Sequence, residues 1–275
     1  MTNARGKQVA RALTIAGSDS GGGAGIQADL KTFQELGVYG MSALTAVTAQ
    51  NTTGVLAVHP LSPEAVVQQM EAVGSDIGVD ALKTGMLFSG DIIAAVAGSI
   101  QSHGWTNVVV DPVMIAKGGA ALLQSEAVEA LIRELLPLTT VITPNIPEAE
   151  CLTGMVIRSS ADKREAAKRL AAFGVAYVLI KGGHDAGPLS TDLLFDGTQF
   201  IELEGIRVDT VHTHGTGCTF SAALTAGLAA GMSVSEAAHQ AKAFIQAAIE
   251  NGIAIGHGRG PTNHWAYGRV QAALR

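Results

Sequence analysis

Short apolar runs alternate with longer helix-forming segments along this chain of 275 residues. The runs have the length and the β-branched content of buried strands, and each is followed by glycine or polar residues. Regular alternation of strand and helix favours an α/β fold, in which helices cover both faces of a mainly parallel sheet. We therefore predict strands at 12–17, 41–50, 55–59 and 140–145, a strand with its turn at 81–87, a strand within 108–114 that Asp111-Pro112 ends, and a strand within 176–184 that runs into Lys181-Gly182-Gly183.

Capping signals separate these strands from the predicted helices. Ser62-Pro63 begins a helix that runs to about residue 73, and Gly104 ends the helix over 89–103. Asp196-Gly197 predicts a β-hairpin within 192–204. Because the chain shows no linker and no internal repeat, we predict a single domain over residues 1–275, with 1–10 as a polar, flexible tail. Further helices are predicted to follow the glycine loop at 18–25 and to cover 125–136, 160–173, 218–230 and 233–251.

Charge and composition exclude several classes of protein. The net charge is −6 and the chain carries no long basic stretch, so we expect no nucleic-acid partner. No apolar run is long enough to span a bilayer, and the N-terminal segment lacks the apolar region of a signal peptide. The two cysteines give no disulfide framework. We expect a cytoplasmic protein that binds no membrane.

A glycine-rich loop leads directly into a helix at residues 212–223. Gly215 and Gly217 permit close approach of the backbone to a ligand, and the N-terminus of the following helix is suited to phosphate. Cys218 lies at this terminus, where a thiol is expected to be partly ionised and able to accept a proton. The alternative is an ordinary glycine turn in front of a buried, alanine-rich helix.

Polar side chains follow three of the predicted strands. Asp111 and Glu148 each come after an apolar strand, and two such carboxylates suit magnesium, which prefers a few oxygen ligands together with water and phosphate. Lys181 precedes two glycines and could reach a phosphate. The competing interpretations are turn formation at Asp111, favourable charge at a helix N-terminus for Glu148, and a solvated lysine at the end of a strand.

Two further polar residues lie near the first strands. Gln50 ends the second strand, and its amide could bind the edge of a heterocycle through paired donor and acceptor groups, although turn chemistry also fits this region. Asp29 lies in the helix that follows the glycine loop 18–25, where a solvated carboxylate is the competing interpretation.

Taken together, these segments resemble the hydroxymethylpyrimidine and phosphomethylpyrimidine kinases of thiamin synthesis, which belong to the ribokinase superfamily. The similarity extends from Leu13 to His264, and this set of motifs in this order is highly specific. The resemblance implies a three-layer ribokinase-like α/β fold. The motifs are Thr14–Asp19 with Gly22–Asp29, Thr48–Thr52, Lys83–Met86, Asp111–Met114, Thr143–Asn145 with Pro147–Ala149, Lys181–His184 and His214–Thr219.

The resemblance also implies roles for individual residues. Cys218 is expected to act as the base, Lys181 to hold the donor or transferred phosphate, and Gly215, Thr216 and Gly217 to supply an anion hole. Asp111 and Glu148 are expected to organise Mg²⁺. The residues expected to bind the aminopyrimidine are Gln50, Gly17, Asp29, Met86 and Val113, and those expected to bind ATP are Asp111, Asn145, Glu148, Lys181, Gly183 and His214.

The activity implied by the family is two successive phosphoryl transfers from ATP in the presence of Mg²⁺. The first converts 4-amino-5-hydroxymethyl-2-methylpyrimidine to its monophosphate, and the second gives the diphosphate. Dimers are usual in the family, so a homodimer is expected. Two alternatives remain open at this point: a pyridoxal or pyridoxine kinase of vitamin B6 salvage, and a non-catalytic pyrimidine-binding regulatory protein.

Overall fold

The computed structural model describes residues 9–114, 125–183 and 187–273. Most of the predicted N-terminal tail at 1–10 lies outside the described residues, as does His184, the last residue of the Lys181–His184 motif.

A nine-stranded sheet forms the centre of the described part of the chain. Six neighbouring strands are parallel, in the order β2-β1-β4-β5-β6-β7. At one edge β3 pairs antiparallel with β2, and at the other β8 pairs antiparallel with both β7 and β9. The strands are β1 (Arg11–Asp19), β2 (Tyr39–Asn51), β3 (Gly54–Pro60), β4 (Ala81–Thr84), β5 (Val108–Val110), β6 (Val141–Ile142), β7 (Tyr177–Ile180), β8 (Asp192–Phe195) and β9 (Phe200–Leu203).

Helices cover both faces of this sheet. Helices α2 to α6 pack on one face, and α1, α7 and α8 pack on the other, with α9 against α8. Helix α4 continues into a π-helical turn over Leu131–Leu135 and a 3₁₀ turn over Leu136–Leu138. The helices are α1 (Gly25–Glu35), α2 (Pro63–Asp76), α3 (Gly90–His103), α4 (Ser125–Ala130), α5 (Ile146–Thr153), α6 (Ser160–Ala171), α7 (Thr216–Ala229), α8 (Val234–Glu250) and α9 (Ala266–Ala273).

Alternation along each strand divides the apolar side chains between two cores. In β5, Val108 and Val110 join the core beneath α2 to α6, while Val109 joins the core beneath α7 and α8. Successive side chains of a strand point to opposite faces, so a strand covered on both sides must be apolar throughout. The predicted α/β fold of three layers is confirmed.

Two of the predicted strands occupy only part of their ranges in the structure. The strand predicted within 108–114 ends at Val110, and the one predicted over 140–145 covers only Val141–Ile142. The polar residues that follow are thus in loops, beyond the carboxyl ends of the strands. Helix α7 begins at Thr216, two residues earlier than predicted, and α9 was not predicted.

One fully buried ion pair joins the first strands to α1. Nζ of Lys83 on β4 lies 2.8 Å from Oδ1 of Asp29, and Oγ1 of Thr14 on β1 donates to the other carboxylate oxygen at 2.6 Å. Both charged residues are 0% exposed. Burial acts to lower the pKa of Lys83, but the charge of Asp29 outweighs it and raises the pKa, which keeps the ammonium group charged.

Within the described ranges, no helix is both long and apolar enough to cross a membrane.

The buried ion pair gives a prediction about stability. Replacing Lys83 by Met should lower the free energy of unfolding by about 3–5 kcal/mol, because it leaves the Asp29 carboxylate buried without a counter-charge. The double variant Lys83→Met/Asp29→Asn should recover most of the loss. Guanidinium unfolding measures the effect, and Arg169→Met is the control because its pair with Glu165 is exposed and should matter far less. A Lys83→Met variant as stable as the parent would contradict the prediction.

Candidate active site

A cavity of about 170 Å³ opens at the carboxyl ends of the parallel strands. This edge is where open α/β sheets place ligands, because the loops after neighbouring strands converge there. Most residues expected to function from the sequence lie in its wall. The lining residues are Ala16, Gly17, Ser18, Asp19, Ala24, Gly25, Thr48, Gln50, Gly85, Met86, Asp111, Val113, Asn145, Glu148, Lys181, His214, Gly215, Thr216, Gly217 and Cys218.

A charged cluster occupies one end of the cavity. Nζ of Lys181, just after β7, lies 2.8 Å from Oδ1 of Asp111, just after β5. Thr143 and Ser221 place their hydroxyl groups 3.3 and 3.4 Å from the same carboxylate. Asp111 is 2% exposed and the Lys181 side chain is mostly buried, so the interpretation of Lys181 as a solvated lysine is wrong.

Glu148 belongs to this cluster and also caps a helix. Asn145 and Glu148 form a capping box at the start of α5, in which Oε2 of Glu148 accepts the backbone N–H of Asn145 at 2.8 Å. Burial raises the pKa of the Glu148 carboxyl to about 7, with Asp111 adding to the rise and Lys181 opposing it. The carboxyl therefore changes charge near neutral pH, which a purely structural cap would not require.

The N-terminus of α7 closes the same end of the cavity. Gly215 has φ of 79° and lies directly before the helix, where a Cβ would overlap the carbonyl oxygen of Gly23. Only glycine fits this position, because it tolerates positive φ and lacks the clashing atom. Gly215, Thr216 and Gly217 all line the cavity, and the first-turn N–H groups and the helix dipole give this end a preference for anions.

Cys218 lines the cavity as predicted, but its ionisation differs from the expectation. Burial raises the pKa of the thiol to about 11, and neither the charge of Lys83 nor a hydrogen bond from the Gly25 backbone overcomes this. The expectation of a partly ionised thiol is therefore wrong for this structure, because desolvation of the thiolate outweighs the helix N-terminus.

Apolar and amide groups form another part of the cavity wall. Gln50, Met86 and Val113 line it together with Gly17, where a Cβ would overlap the Met86 methyl group. A glycine at position 17 thus leaves room for the methionine side chain. A flat ring that stacks between these groups could present a polar edge to Gln50.

Two residues predicted to bind ligands do not line the cavity. Asp29 is fully buried against Lys83 and Thr14, so both the proposed contact with substrate and the solvated carboxylate are inconsistent with its position. Gly183 lies outside the cavity wall, and its carbonyl oxygen accepts a hydrogen bond from Arg207. The role of Gly183 in binding ATP stays a prediction.

Other residues of the wall were missed or assigned differently. Asp19 and Thr48 line the cavity although their side chains were not singled out from the sequence. His214, expected near ATP, lies 2.8 Å from Asp19 and 3.5 Å from Gln50, which favours a position beside the ring. The signal that could have found Asp19 is the run of small residues after it, whose backbone N–H groups need an acceptor.

The donor set fits magnesium better than a transition metal. Across residues 9–114, 125–183 and 187–273, no group of three or more His, Cys, Asp and Glu side chains is arranged to hold an ion. Asp111 and Glu148 nevertheless supply two oxygen ligands beside a cavity that could hold phosphates. Mg²⁺ is commonly held by one or two carboxylates together with water and substrate phosphates.

The family profile and the similar sequences point to the same family. The profile of the phosphomethylpyrimidine kinase family matches residues 19–263. The chain is 57% identical over 260 residues to the hydroxymethylpyrimidine/phosphomethylpyrimidine kinase of Bacillus subtilis strain 168, covering 94% of this chain and 96% of the relative. It is also 49% identical over 263 residues to the pyridoxine kinase of that organism, covering 93% and 96%.

A solved structure has the same fold. The ADP complex of Bacillus subtilis pyridoxal kinase superposes with a TM-score of 0.88 and 48% identity, covering 94% of this chain and 98% of that one. The matched profile includes nearly every residue of the cavity wall described above. The chain belongs to the phosphomethylpyrimidine kinase family.

Proposed function

We propose that this protein, as a single kinase domain, phosphorylates 4-amino-5-hydroxymethyl-2-methylpyrimidine with ATP, and then phosphorylates the monophosphate to the diphosphate, in thiamin biosynthesis. The observation that carries the proposal is the arrangement within one cavity. The buried pair of Lys181 and Asp111, the N-terminus of α7 and the Gln50 amide all line it. Phosphoryl transfer requires this combination of charge neutralisation and positioning.

The helix N-terminus and Lys181 are the groups suited to the transferred phosphoryl group. The first turn of α7 lines the cavity, and its N–H groups are held in place by the helix before any ligand arrives. Lys181 stays charged because the carboxylates of Asp111 and Glu148 raise its pKa against the opposing effect of burial. A phosphate at this part of the cavity would therefore meet preformed hydrogen-bond donors, and Lys181 would add its charge once another cation takes its place at Asp111.

Asp111 and Glu148 are the residues that would hold Mg²⁺, with Asn145 orienting Glu148 through the capping box. The ion would neutralise charge on the phosphates of ATP. Asp111 has Lys181 as its partner here, so binding of a cation at Asp111 would release the lysine toward phosphate.

Cys218 is the residue proposed to accept the hydroxyl proton in the first transfer. Its side chain lines the cavity next to the helix N-terminus. Because burial raises the thiol pKa to about 11, only a small fraction is thiolate at neutral pH, and the first transfer should depend on that fraction. The second transfer uses a phosphate oxygen that is already ionised and needs no base.

A pyridoxal or pyridoxine kinase is the second candidate function. What supports this candidate is the 49% identity to a pyridoxine kinase and the fold shared with a pyridoxal kinase. A regulatory protein that only binds pyrimidines is less consistent with the site, since binding a ring does not require Asp111, Glu148, Lys181 and Cys218 around one cavity. A homodimer and a cytoplasmic location are further parts of the proposal, and the two free cysteines are compatible with that location.

The main test follows the products of three substrates in parallel by phosphorus NMR. With ATP and Mg²⁺, hydroxymethylpyrimidine should give first the monophosphate and then the diphosphate, and the monophosphate alone should give the diphosphate. Turnover of pyridoxal alone would move the protein to vitamin B6 salvage. Tight binding of the pyrimidine without turnover of any substrate would instead favour the regulatory alternative.

Replacing the proposed base should separate the two transfers. Cys218→Ala should slow the first transfer strongly, by on the order of a hundredfold or more, and leave the second within a fewfold, because only the first needs a base. In the parent enzyme the first rate should rise about tenfold per pH unit from pH 7 to 9 as the thiolate fraction grows, while the second should not. Single-turnover rates measure both, Cys151→Ser is the control, and equal losses in both steps would contradict the assignment.

The dependence on magnesium should change with pH because of Glu148. As the pH falls from 8 to 6 its carboxyl takes up a proton through a pKa of about 7, so the Mg²⁺ concentration that gives half-maximal activity should rise. Glu148→Gln should raise this concentration at all pH values and remove most of the change.

The control for this prediction is Glu236→Gln. Glu236 occupies the corresponding position in the capping box of α8, and it does not line the cavity. The substitution therefore changes the same kind of cap without touching the proposed metal ligands. If both variants shift the Mg²⁺ requirement equally, Glu148 acts only as a cap.

A further inference from the structure

The Gln50 amide has two polar neighbours that the proposed mechanism does not use. Its terminal nitrogen position lies 3.5 Å from Nε2 of His214, and its terminal oxygen position lies 3.2 Å from Oγ1 of Thr48. The nitrogen and oxygen of a primary amide have nearly the same size and shape. The donors and acceptors around them therefore decide which occupies which position.

On one side of the Gln50 amide, Asp19 determines that Nε2 of His214 carries a proton. Nε2 of His214 lies 2.8 Å from Oδ2 of Asp19, and the same oxygen accepts the backbone N–H groups of Gly23 and Ala24 at 3.0 and 2.8 Å. Burial acts to raise the pKa of Asp19, but the hydrogen bond and charge of His214, with the backbone N–H groups of Ala24 and Gly21, outweigh it and lower the pKa, so the carboxylate is ionised. An ionised carboxylate only accepts, so Nε2 of His214 carries a proton and can only donate.

On the other side of the amide, Ser18 determines the direction in which the Thr48 hydroxyl proton points. Oγ1 of Thr48 lies 2.7 Å from the backbone oxygen of Ser18 and donates to it. A hydroxyl group has a single proton, so Oγ1 can only accept from its remaining neighbour, which is Gln50.

We infer that Asp19 with His214, and Ser18 with Thr48, are positioning groups that hold the Gln50 amide in one orientation, with its oxygen toward His214 and its NH₂ toward Thr48. This orientation exchanges the two terminal positions. It lets Oγ1 of Thr48 accept from the amide NH₂, and it places the amide oxygen beside the His214 N–H, whose single proton Asp19 already accepts. The opposite orientation places two donors against each other at His214. The amide then has one acceptor site and one donor site left, side by side, for a ligand in the cavity.

The inference rests on the proposed function and specifies the ring that the site selects. A ring nitrogen next to a carbon that bears an amino group presents a donor and an acceptor side by side, which matches the fixed amide. The aminopyrimidine has this edge. Pyridoxal does not, because a methyl-bearing carbon separates its ring nitrogen from its hydroxyl-bearing carbon. A ring such as pyridoxal, which lacks this edge, should therefore lose little binding affinity when the Gln50 amide is free to rotate.

The experiment measures KM and kcat for hydroxymethylpyrimidine and for pyridoxal in four variants. His214→Phe removes the donor and keeps a ring, and Thr48→Val removes the acceptor with little change in shape. His214→Gln retains an N–H donor toward Asp19 and Gln50. His212→Asn is the matched control, since His212 is nearby, does not line the cavity, and accepts from the Gly260 N–H, as asparagine also can.

We expect His214→Phe and Thr48→Val each to raise KM for the pyrimidine on the order of tenfold, with kcat within about twofold and with a much smaller effect on pyridoxal. His214→Gln should recover most of the preference, and His212→Asn should leave it unchanged. Calorimetric titration with hydroxymethylpyrimidine alone should reproduce the loss as weaker binding.

The inference is overturned if the preference for the two rings does not change in either His214→Phe or Thr48→Val, or if kcat falls instead of KM rising. If His214→Phe does not fold, Thr48→Val decides alone, because it acts on the opposite side of the amide. Failure of the proposed function would give a different result. The parent enzyme would then phosphorylate neither hydroxymethylpyrimidine nor its monophosphate, whatever the variants do.

Discussion

Strands β5, β6 and β7 are covered by helices on both faces, and this burial determines where the polar chemistry of the protein can lie. Their side chains are apolar because each face meets a core. The first polar residues therefore follow the strands, and since the strands are parallel and adjacent, these residues meet at one edge. Asp111 and Lys181 are 70 positions apart in the sequence and 2.8 Å apart in space for this reason.

The site contains charges that balance one another before any ligand is present. Lys181 is held by Asp111, and Lys83 by Asp29, so neither cation is free to attract anions without rearrangement. The two pairs differ in their surroundings. Lys83 is sealed inside the protein and stabilises the joint between β1, β4 and α1, whereas Lys181 faces a cavity in which another cation could take over its carboxylate. The pair of Lys83 and Asp29 therefore stabilises the fold, whereas the pair of Lys181 and Asp111 lies where a ligand could reach it.

The sequence alone predicted most strands and helices along the chain, and it predicted that polar residues meet at the carboxyl edge of the sheet, because period, capping and strand-end polarity are local signals. It did not predict interactions that depend on distant segments. The burial of Asp29 requires Lys83, and the pKa of Cys218 is raised by burial, which depends on the segments that pack around its thiol. The network around Gln50 joins residues from 18 to 214, and no local pattern reveals which of them touch.

The contact between Gly215 and Gly23 has a consequence for how the molecule assembles. Two backbones almost 200 residues apart in sequence lie so close that no side chain fits between them. The part of the cavity next to α7 therefore forms only when β1, the loop after it and α7 have packed together. Contacts between residues so far apart in sequence form slowly. During synthesis, the glycine loop after β1 leaves the ribosome long before its partner, so a growing chain can bury much of its sheet and still be unable to hold a phosphate.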